Sequence, residues 1–173
     1  MIPKSKIRAK VSELLTRFRI TEPPVDVEKI AKNLGIRVEF IDFDKDEISG
    51  LLVRKGKKTV LGVNRKHSEN RQRFTIAHEI GHFLLHKTKP IFVDELALHF
   101  RTQISGEGIN PEEIEANALA AELLMPRQFI EEDVANIDVL NEKAIQDLAQ
   151  KYKVSVEAFV FRLTNLGYKP YFF

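Results

Sequence analysis

The sequence contains no cysteine, no long apolar run and no internal repeat, and each absence excludes a class of protein. Without cysteine, disulfide bonds, thiolate metal sites and cysteine nucleophiles are excluded, so any metal ion must be bound by His, Asp or Glu. No apolar stretch approaches the roughly 18 residues that a membrane-spanning helix needs, and no membrane association is expected. The first residues, MIPKSKIRAK, contain no apolar h-region, so no secretory signal is predicted.

The composition is ordinary, but the charge is unevenly distributed. The chain has 173 residues, of which 43% are hydrophobic and 30% are charged, as expected for one globular domain. Residues 1–90 carry 20 Lys and Arg against 11 Asp and Glu, whereas residues 91–173 carry 7 against 14. This asymmetry indicates either two solvated surfaces of opposite sign or a basic face that meets an acidic partner. The near-neutral total of +2 argues against tight DNA binding.

Hydrophobic periodicity predicts an α+β fold with a helical C-terminal half. Alternating apolar residues predict a small, three-stranded, mostly antiparallel sheet, with a hairpin turn at residues 55–58. The mixed polarity of residues 91–110 predicts a surface loop. The predicted units of the chain are N-terminal helices (1–35), the small sheet (36–66), two site helices (70–126) and C-terminal helices (127–173).

The most informative motif is the H-E-x-x-H pattern of His78 to His82, which lies inside a predicted helix. Helical residues four apart share a face, so His78 and His82 can direct their imidazoles at one metal ion. Glu79 is offset from that face and can reach a metal-bound water rather than the metal. We therefore expect His78 and His82 as metal ligands and Glu79 as the catalytic base. Gly81 costs about 1 kcal/mol relative to alanine in mid-helix, which suggests that another segment approaches closely there.

His86 shares the face of the two motif histidines, but its distance from them argues against a role as third ligand. At about 1.5 Å per residue, His86 lies about 12 Å from His78 along the helix axis. Three such side chains cannot easily converge on one ion at bond lengths of about 2.1 Å. We therefore expect His86 to have a supporting or structural role.

A second predicted helix, which begins at Asn110-Pro111, offers a glutamate as the third ligand. Glu113 and Asn117 are four apart, so Glu113 can bind the metal while Asn117 hydrogen-bonds a ligand histidine. Glu115 points about 200° away from Glu113 around the helix, so only one of the two can ligate well. The alternative is an acidic helix start that serves only the helix macrodipole.

Two stretches, RFTIAHEIGHFLLH (residues 73–86) and EIEANALAAELLMP (residues 113–126), closely resemble the ImmA/IrrE family of zinc metallopeptidases. The resemblance implies a gluzincin-like metallopeptidase domain over residues 1–173, with one zinc ion (Zn2+) bound by His78, His82 and Glu113. It also implies a cytoplasmic endopeptidase whose protein substrate is a helix-turn-helix transcriptional repressor. Because some relatives belong to toxin–antitoxin-like pairs, a toxin or protein-binding module that keeps the zinc scaffold is the alternative.

The C-terminal residues 147–163 have helix-turn-helix spacing, which is compatible with DNA binding or with a packing pair of helices. A recognition helix should be basic, yet residues 155–163 contain only Arg162 against Glu157. Direct nucleic-acid binding is therefore not expected, and the two helices are predicted to support the catalytic body or to contact a protein partner.

Two features of the mechanism stay open in the sequence. A hydrolase needs a hydrogen-bond donor for the developing oxyanion, and the candidates are Tyr152, Tyr168, His67, His99 and several arginines. The substrate is expected to pair as an extended strand with an open edge of the small sheet, for which residues 59–63 are the candidate. Entry along the predicted loop at residues 91–110 is the alternative.

Overall fold

The computed structural model describes residues 1–56, 58–86 and 110–169, and the backbone of residues 91–94. Within these ranges the chain forms seven helices and four strands, which confirms the α+β class. The helices are α1 (Lys4–Phe18), α2 (Val27–Asn33), α3 (Glu69–Leu85), α4 (Pro111–Leu124), α5 (Arg127–Ala135), α6 (Glu142–Tyr152) and α7 (Val156–Leu166). The strands are β1 (Ile36–Ile41), β2 (Gly50–Lys55), β3 (Lys58–Asn64) and β4 (Ile91–Asp94).

The four strands form one mixed sheet in the order β1-β3-β2-β4. Strand β1 pairs with β3 in parallel, whereas β2 pairs antiparallel with both β3 and β4. The ladder of β2 and β3 runs to Lys55 opposite Lys58, which agrees with the predicted hairpin, although Lys57 lies outside the described residues. The three predicted strands are therefore confirmed as neighbours within the sheet.

The structure corrects two expectations about this sheet. Residues 59–63 do not form an open edge, because β3 lies between β1 and β2. Consistent with this interior position, residues 61–64 are all buried rather than alternately buried and exposed. Residues 91–94, at the start of the predicted loop, instead form β4 on the outer side of β2. The rest of that predicted loop, residues 95–109, lies outside the described residues.

Helices α3 and α4 pack against each other more extensively than any other described pair of elements. Their close approach depends on Gly81, as the sequence suggested. A Cβ atom at Gly81 would lie 2.9 Å from the Cα atom of Ala116 and 3.0 Å from its carbonyl oxygen. Because the two backbones meet at this point, residues on the facing sides of α3 and α4 come within contact distance.

The C-terminal helices complete a common buried core with the N-terminal part of the chain. Helix α6 ends at Tyr152, the following Lys153 has a positive φ of 53°, and α7 begins after Ser155. Tyr152 and Phe159 are fully buried with ring centroids 5.4 Å apart, so α6 and α7 form the packing pair that the spacing predicted. Within the described ranges, no helix combines the length and the apolarity that a membrane crossing requires.

We predict that Gly81→Ala lowers the free energy of unfolding, although alanine favours a helix by about 1 kcal/mol over glycine. The added methyl group meets the backbone of Ala116, and overpacking of this kind costs about 1–3 kcal/mol. Urea denaturation of the purified variant measures the change. Ser12→Ala, on the exposed face of α1, is the control and should shift stability by no more than about 0.5 kcal/mol. An increase in the stability of Gly81→Ala would contradict the packing argument.

Candidate metal centre

Three side chains from two helices converge where α3 and α4 meet. His78 and His82 lie one turn apart on α3, and Glu113 lies in the first turn of α4. The two Nε2 atoms are 2.9 Å apart, and each is 3.2 Å from an oxygen of the Glu113 carboxylate. Among the described residues, these three form a group of potential metal ligands whose ligand atoms all lie within 4.8 Å of one another.

The chemistry of this group suits a divalent metal ion. Burial acts to raise the pKa of Glu113, but hydrogen bonds and charge interactions with His78 and His82 outweigh it and hold that pKa well below its usual range. Burial lowers the pKa of His82, which favours the neutral imidazole, the form that binds a metal ion. Two neutral imidazoles and one carboxylate are a donor set that zinc takes in catalytic sites.

The position of Glu113 follows from the way α4 begins. Asn110 caps the helix by accepting a hydrogen bond from the backbone N–H of Glu112 at 3.1 Å, and Pro111 takes the first helical position, as predicted. The helix therefore starts at a defined residue, and Glu113 projects from its first turn towards the two histidines of α3.

Asn117 supports His78 in the way that the helical spacing predicted. Its side-chain oxygen lies 2.9 Å from Nδ1 of His78. Because an amide oxygen can only accept, the Nδ1 atom of His78 carries the proton, and the Nε2 atom of the neutral ring keeps its lone pair for the centre. Glu113 and Asn117 lie one turn apart on α4. The helix can therefore contact the centre through Glu113 and the Nδ1 atom of His78 through Asn117.

His86 and Glu115 lie outside the cluster but contact it from behind. The Nδ1 atom of His86 is 3.1 Å from Nδ1 of His82, and its Nε2 atom is 2.9 Å from Oε2 of Glu115. Glu115 therefore faces His86 and not the other two histidines, which agrees with its predicted orientation away from Glu113. His86 has a supporting place, as its distance along the helix suggested.

Glu79 is fully buried and lies on the side of α3 that faces the sheet. A Cβ atom at Gly50 of β2 would lie 2.6 Å from Cγ2 of Thr75 and 3.7 Å from Oε1 of Glu79. The absence of a side chain at Gly50 therefore allows β2 to approach the helix beside Glu79. Glu79 does not belong to the ligand group formed by the described residues, as expected for a residue offset from the ligand face.

Sequence reasoning missed Arg54 of β2 as a neighbour of the centre. Its guanidinium donates to the carbonyl oxygens of His82 at 3.2 Å and His86 at 3.3 Å, so it caps the C-terminal end of α3. Burial lowers the pKa of Arg54, whereas the nearby charge of Glu79 raises it. No local pattern marks Arg54 as different from the lysines around it, because its role depends on the packing of β2 against α3.

The candidates for the oxyanion donor have different surroundings. Tyr152 is buried and donates its hydroxyl to Asp133 at 2.9 Å, and burial together with this hydrogen bond raises the pKa of Tyr152. The Nε2 atom of His67 contacts the carbonyl oxygen of Asp46 at 2.9 Å. Tyr168 follows α7 and packs against the core. The hydroxyl of Tyr152 and the Nε2 atom of His67 are thus engaged elsewhere, and His99 lies outside the described residues.

Comparison with known proteins identifies the family. The model of the IrrE N-terminal-like domain, Peptidase_M78, matches residues 31–164, which is most of the chain. This chain belongs to the IrrE N-terminal-like peptidase family. The match confirms the resemblance carried by the two motifs, and both motifs lie inside the matched IrrE-like range.

Two known proteins that this chain resembles are longer than it is. It is 32% identical over 107 residues to the radiation response metalloprotease IrrE of Deinococcus radiodurans, covering 61% of this chain and 31% of that protein. A solved structure of a Mycobacterium tuberculosis transcriptional regulator aligns with a TM-score of 0.61 and 17% identity, covering 92% of this chain and 46% of the other. At that identity the second likeness shows the fold alone. The chain thus spans less than half the length of either relative.

We predict that Glu113→Ala reduces zinc binding far more than Glu115→Ala. Glu113 contacts both Nε2 atoms of the centre, whereas Glu115 reaches it only through His86. Titration of the metal-free proteins with zinc against a chelator of known affinity measures the difference. Equal losses in the two variants, or a loss confined to Glu115→Ala, would contradict the choice of Glu113 as third ligand.

Proposed function

We propose that this member of the IrrE N-terminal-like family is a zinc-dependent endopeptidase that hydrolyses a cytoplasmic protein, a helix-turn-helix transcriptional repressor. The observation that carries the proposal is the convergence of His78, His82 and Glu113, with Glu79 buried on the helix that provides both histidines. The catalytic unit is a single domain over residues 1–173, which is supported by the buried core that the N-terminal and C-terminal helices share.

In this proposal His78, His82 and Glu113 hold one zinc ion. Three protein ligands would leave a coordination position for water or substrate, as in other catalytic zinc sites. When bound, the ion lowers the pKa of a coordinated water and polarises the scissile carbonyl. Asn117 keeps the Nε2 atom of His78 free of its proton by accepting from Nδ1.

Glu79 carries out the proton transfers of the proposed reaction. Its carboxylate accepts a proton from the attacking water and donates it to the amide nitrogen of the leaving peptide. Full burial keeps bulk water away from this carboxylate, and the charge of Arg54 acts on it from β2. The packing of Gly50 against Thr75 and Glu79 limits the space in which the Glu79 side chain can move.

A repressor is the proposed substrate because the ImmA/IrrE resemblance implies such substrates. An extended or locally unfolded segment suits a peptidase, since a folded helix has its backbone groups already paired. The sheet offers β4 as the place where such a segment can pair, because β4 is the outermost described strand next to β2, and β2 contacts the site helix α3. Pairing of the substrate with β4 agrees with the alternative expectation, in which the substrate enters along residues 91–110.

The first test compares the wild-type chain with Glu79→Gln on candidate helix-turn-helix repressors from the same genome, beginning with any that is encoded beside this gene. We expect wild-type protein to cleave the repressor, and the variant to keep its zinc while its turnover falls by about 10²–10⁴-fold. Mass spectrometry of the products and metal analysis of both proteins give the readout.

Glu69→Gln is the matched control for this test. Glu69 lies in the first turn of the same helix and forms an exposed ion pair with Lys153 at 2.9 Å, so its loss should leave cleavage unchanged. If zinc disappears together with activity in Glu79→Gln, Glu79 is a ligand and its assigned role is wrong. If the wild-type protein and Glu79→Gln both bind the repressor tightly and neither cleaves it, the chain is the protein-binding module of a toxin–antitoxin-like pair.

A proline scan of residues 91–94 tests the substrate edge. Proline removes a backbone N–H, so at positions whose N–H points away from β2 it should abolish cleavage while zinc and fold persist. The same scan along β1, at the opposite edge of the sheet, is the control and should preserve cleavage in every variant that folds. Normal cleavage by all folded variants of residues 91–94 would show that the substrate does not pair with β4.

A further inference from the structure

A continuous series of side-chain contacts leads from α4 back to one of the proposed zinc ligands. Oε2 of Glu115 lies 2.9 Å from Nε2 of His86, and Nδ1 of His86 lies 3.1 Å from Nδ1 of His82. The Nε2 atom of His82 then faces Glu113 at 3.2 Å. The three residues of this series are all buried, at 2% exposure for His82, 7% for His86 and 6% for Glu115.

These contacts permit only one consistent placement of the ring protons when Glu115 is a carboxylate and His86 is a neutral imidazole. A carboxylate only accepts, so Nε2 of His86 must donate to Glu115. A neutral His86 then has no proton on Nδ1, and this atom must accept from His82. The Nδ1 atom of His82 therefore carries its proton, and its Nε2 atom presents a lone pair to the centre.

The opposite placement is disfavoured by the same geometry. If His86 donated from Nδ1 to His82, its Nε2 lone pair would face the carboxylate oxygen of Glu115 at 2.9 Å. The proton of His82 would then lie on Nε2, directed at the ligand cluster, where it would block a metal bond. The charge of Glu115 thus selects the tautomer of a histidine that it does not touch.

We infer that Glu115 and His86 form a relay that fixes the tautomer and ring orientation of His82, which makes both of them positioning residues of the metal centre. The inference rests on the proposed function, because it takes His82 as a zinc ligand. The helical spacing only excluded Glu115 as a ligand. The relay gives this residue a role in the centre.

Glu115 is itself anchored by a contact from the segment that precedes α1. The backbone N–H of Ile2 donates to its Oε1 atom, while Oε2 remains for His86. The carboxylate that the relay requires is thus the form that these contacts stabilise.

The two histidines of the motif are therefore held by different means. His78 is held by the neutral amide of Asn117. His82 is held by the imidazole of His86, whose orientation depends on the buried carboxylate of Glu115. The amide of Asn117 and the carboxylate of Glu115 both come from α4, which also provides Glu113, whereas His86 lies at the C-terminal end of α3. Helix α4 thus contributes one ligand and the direct support of His78, and it acts on His82 through His86.

The test measures zinc affinity of the full chain in four variants, by competition with a chelator at neutral pH. His86→Leu keeps apolar volume but removes the acceptor for His82, and Glu115→Ala removes the end of the relay. We expect each to weaken zinc binding by about 10- to 100-fold. His86→Asn restores an oxygen near the position of Nδ1 and should recover most of the affinity. In the double variant His86→Leu/Glu115→Ala, the second change should add little to the first.

Two further measurements separate positioning from a general loss of structure. The absorption spectrum of the cobalt(II)-substituted protein should change in His86→Leu and return towards wild type in His86→Asn. Glu122→Ala is the matched control, because Glu122 is also buried on α4, at 7% exposure, and forms an ion pair with Arg162 away from the centre. It should lower the melting temperature and leave zinc affinity unchanged.

The possible failures are distinguishable. If wild-type protein binds zinc but His86→Leu and Glu115→Ala retain its affinity and cobalt spectrum, the relay is wrong and the proposed function stands. The relay is also wrong if His86→Asn is as weak as His86→Leu, or if the effects of the two single variants add in full. Should His86→Leu not fold, His86→Asn and Glu115→Ala decide by the same criteria. If the wild-type chain binds no zinc, the proposed function fails and the relay falls with it.

Discussion

The close contact between α3 and α4 at Gly81 and Ala116 is the constraint on which the rest of the centre depends. A side chain at Gly81 would meet the backbone of α4 at 2.9 Å, so the two helices reach this separation only because none is present. At this separation Glu113 reaches His78 and His82 across the interface, and Asn117 reaches the back of His78. The cost of a glycine in mid-helix, about 1 kcal/mol, is thus offset by the contacts that it permits.

The sheet limits the other side of the site helix. Gly50 of β2 lies against Thr75 and Glu79, and Arg54 of the same strand caps the C-terminal end of α3. Glu79 is therefore enclosed by the sheet, while the ligand face of the helix is turned towards α4. Glu79 is thus offset from the ligand face, yet adjacent to His78 along the helix, and the proposed reaction needs its carboxylate within hydrogen-bond reach of a water at the centre.

The two proteins compared with this chain are longer than the part that it matches. The chain covers 31% of the radiation response metalloprotease IrrE and 46% of the mycobacterial transcriptional regulator, so both contain regions that have no counterpart in it. The proposed centre lies inside the matched range of residues 31–164, but the contact from Ile2 to Glu115 comes from outside it. The N-terminal segment thus contacts the surroundings of the centre through Glu115, which lies inside the matched range.

The sequence by itself was sufficient for features that depend on spacing along one element. The helical repeat placed His78 beside His82 and Glu113 beside Asn117, set Glu115 apart from them, and made His86 too distant to ligate. Local signals also marked the start of α4 and three of the strands. Only the tertiary structure decided the strand order, which put residues 59–63 inside the sheet and β4 at its edge, because strand pairing joins residues that are remote in sequence. For the same reason it alone revealed the contacts of Arg54 and the relay through His86, since each depends on which surfaces meet after the elements have formed.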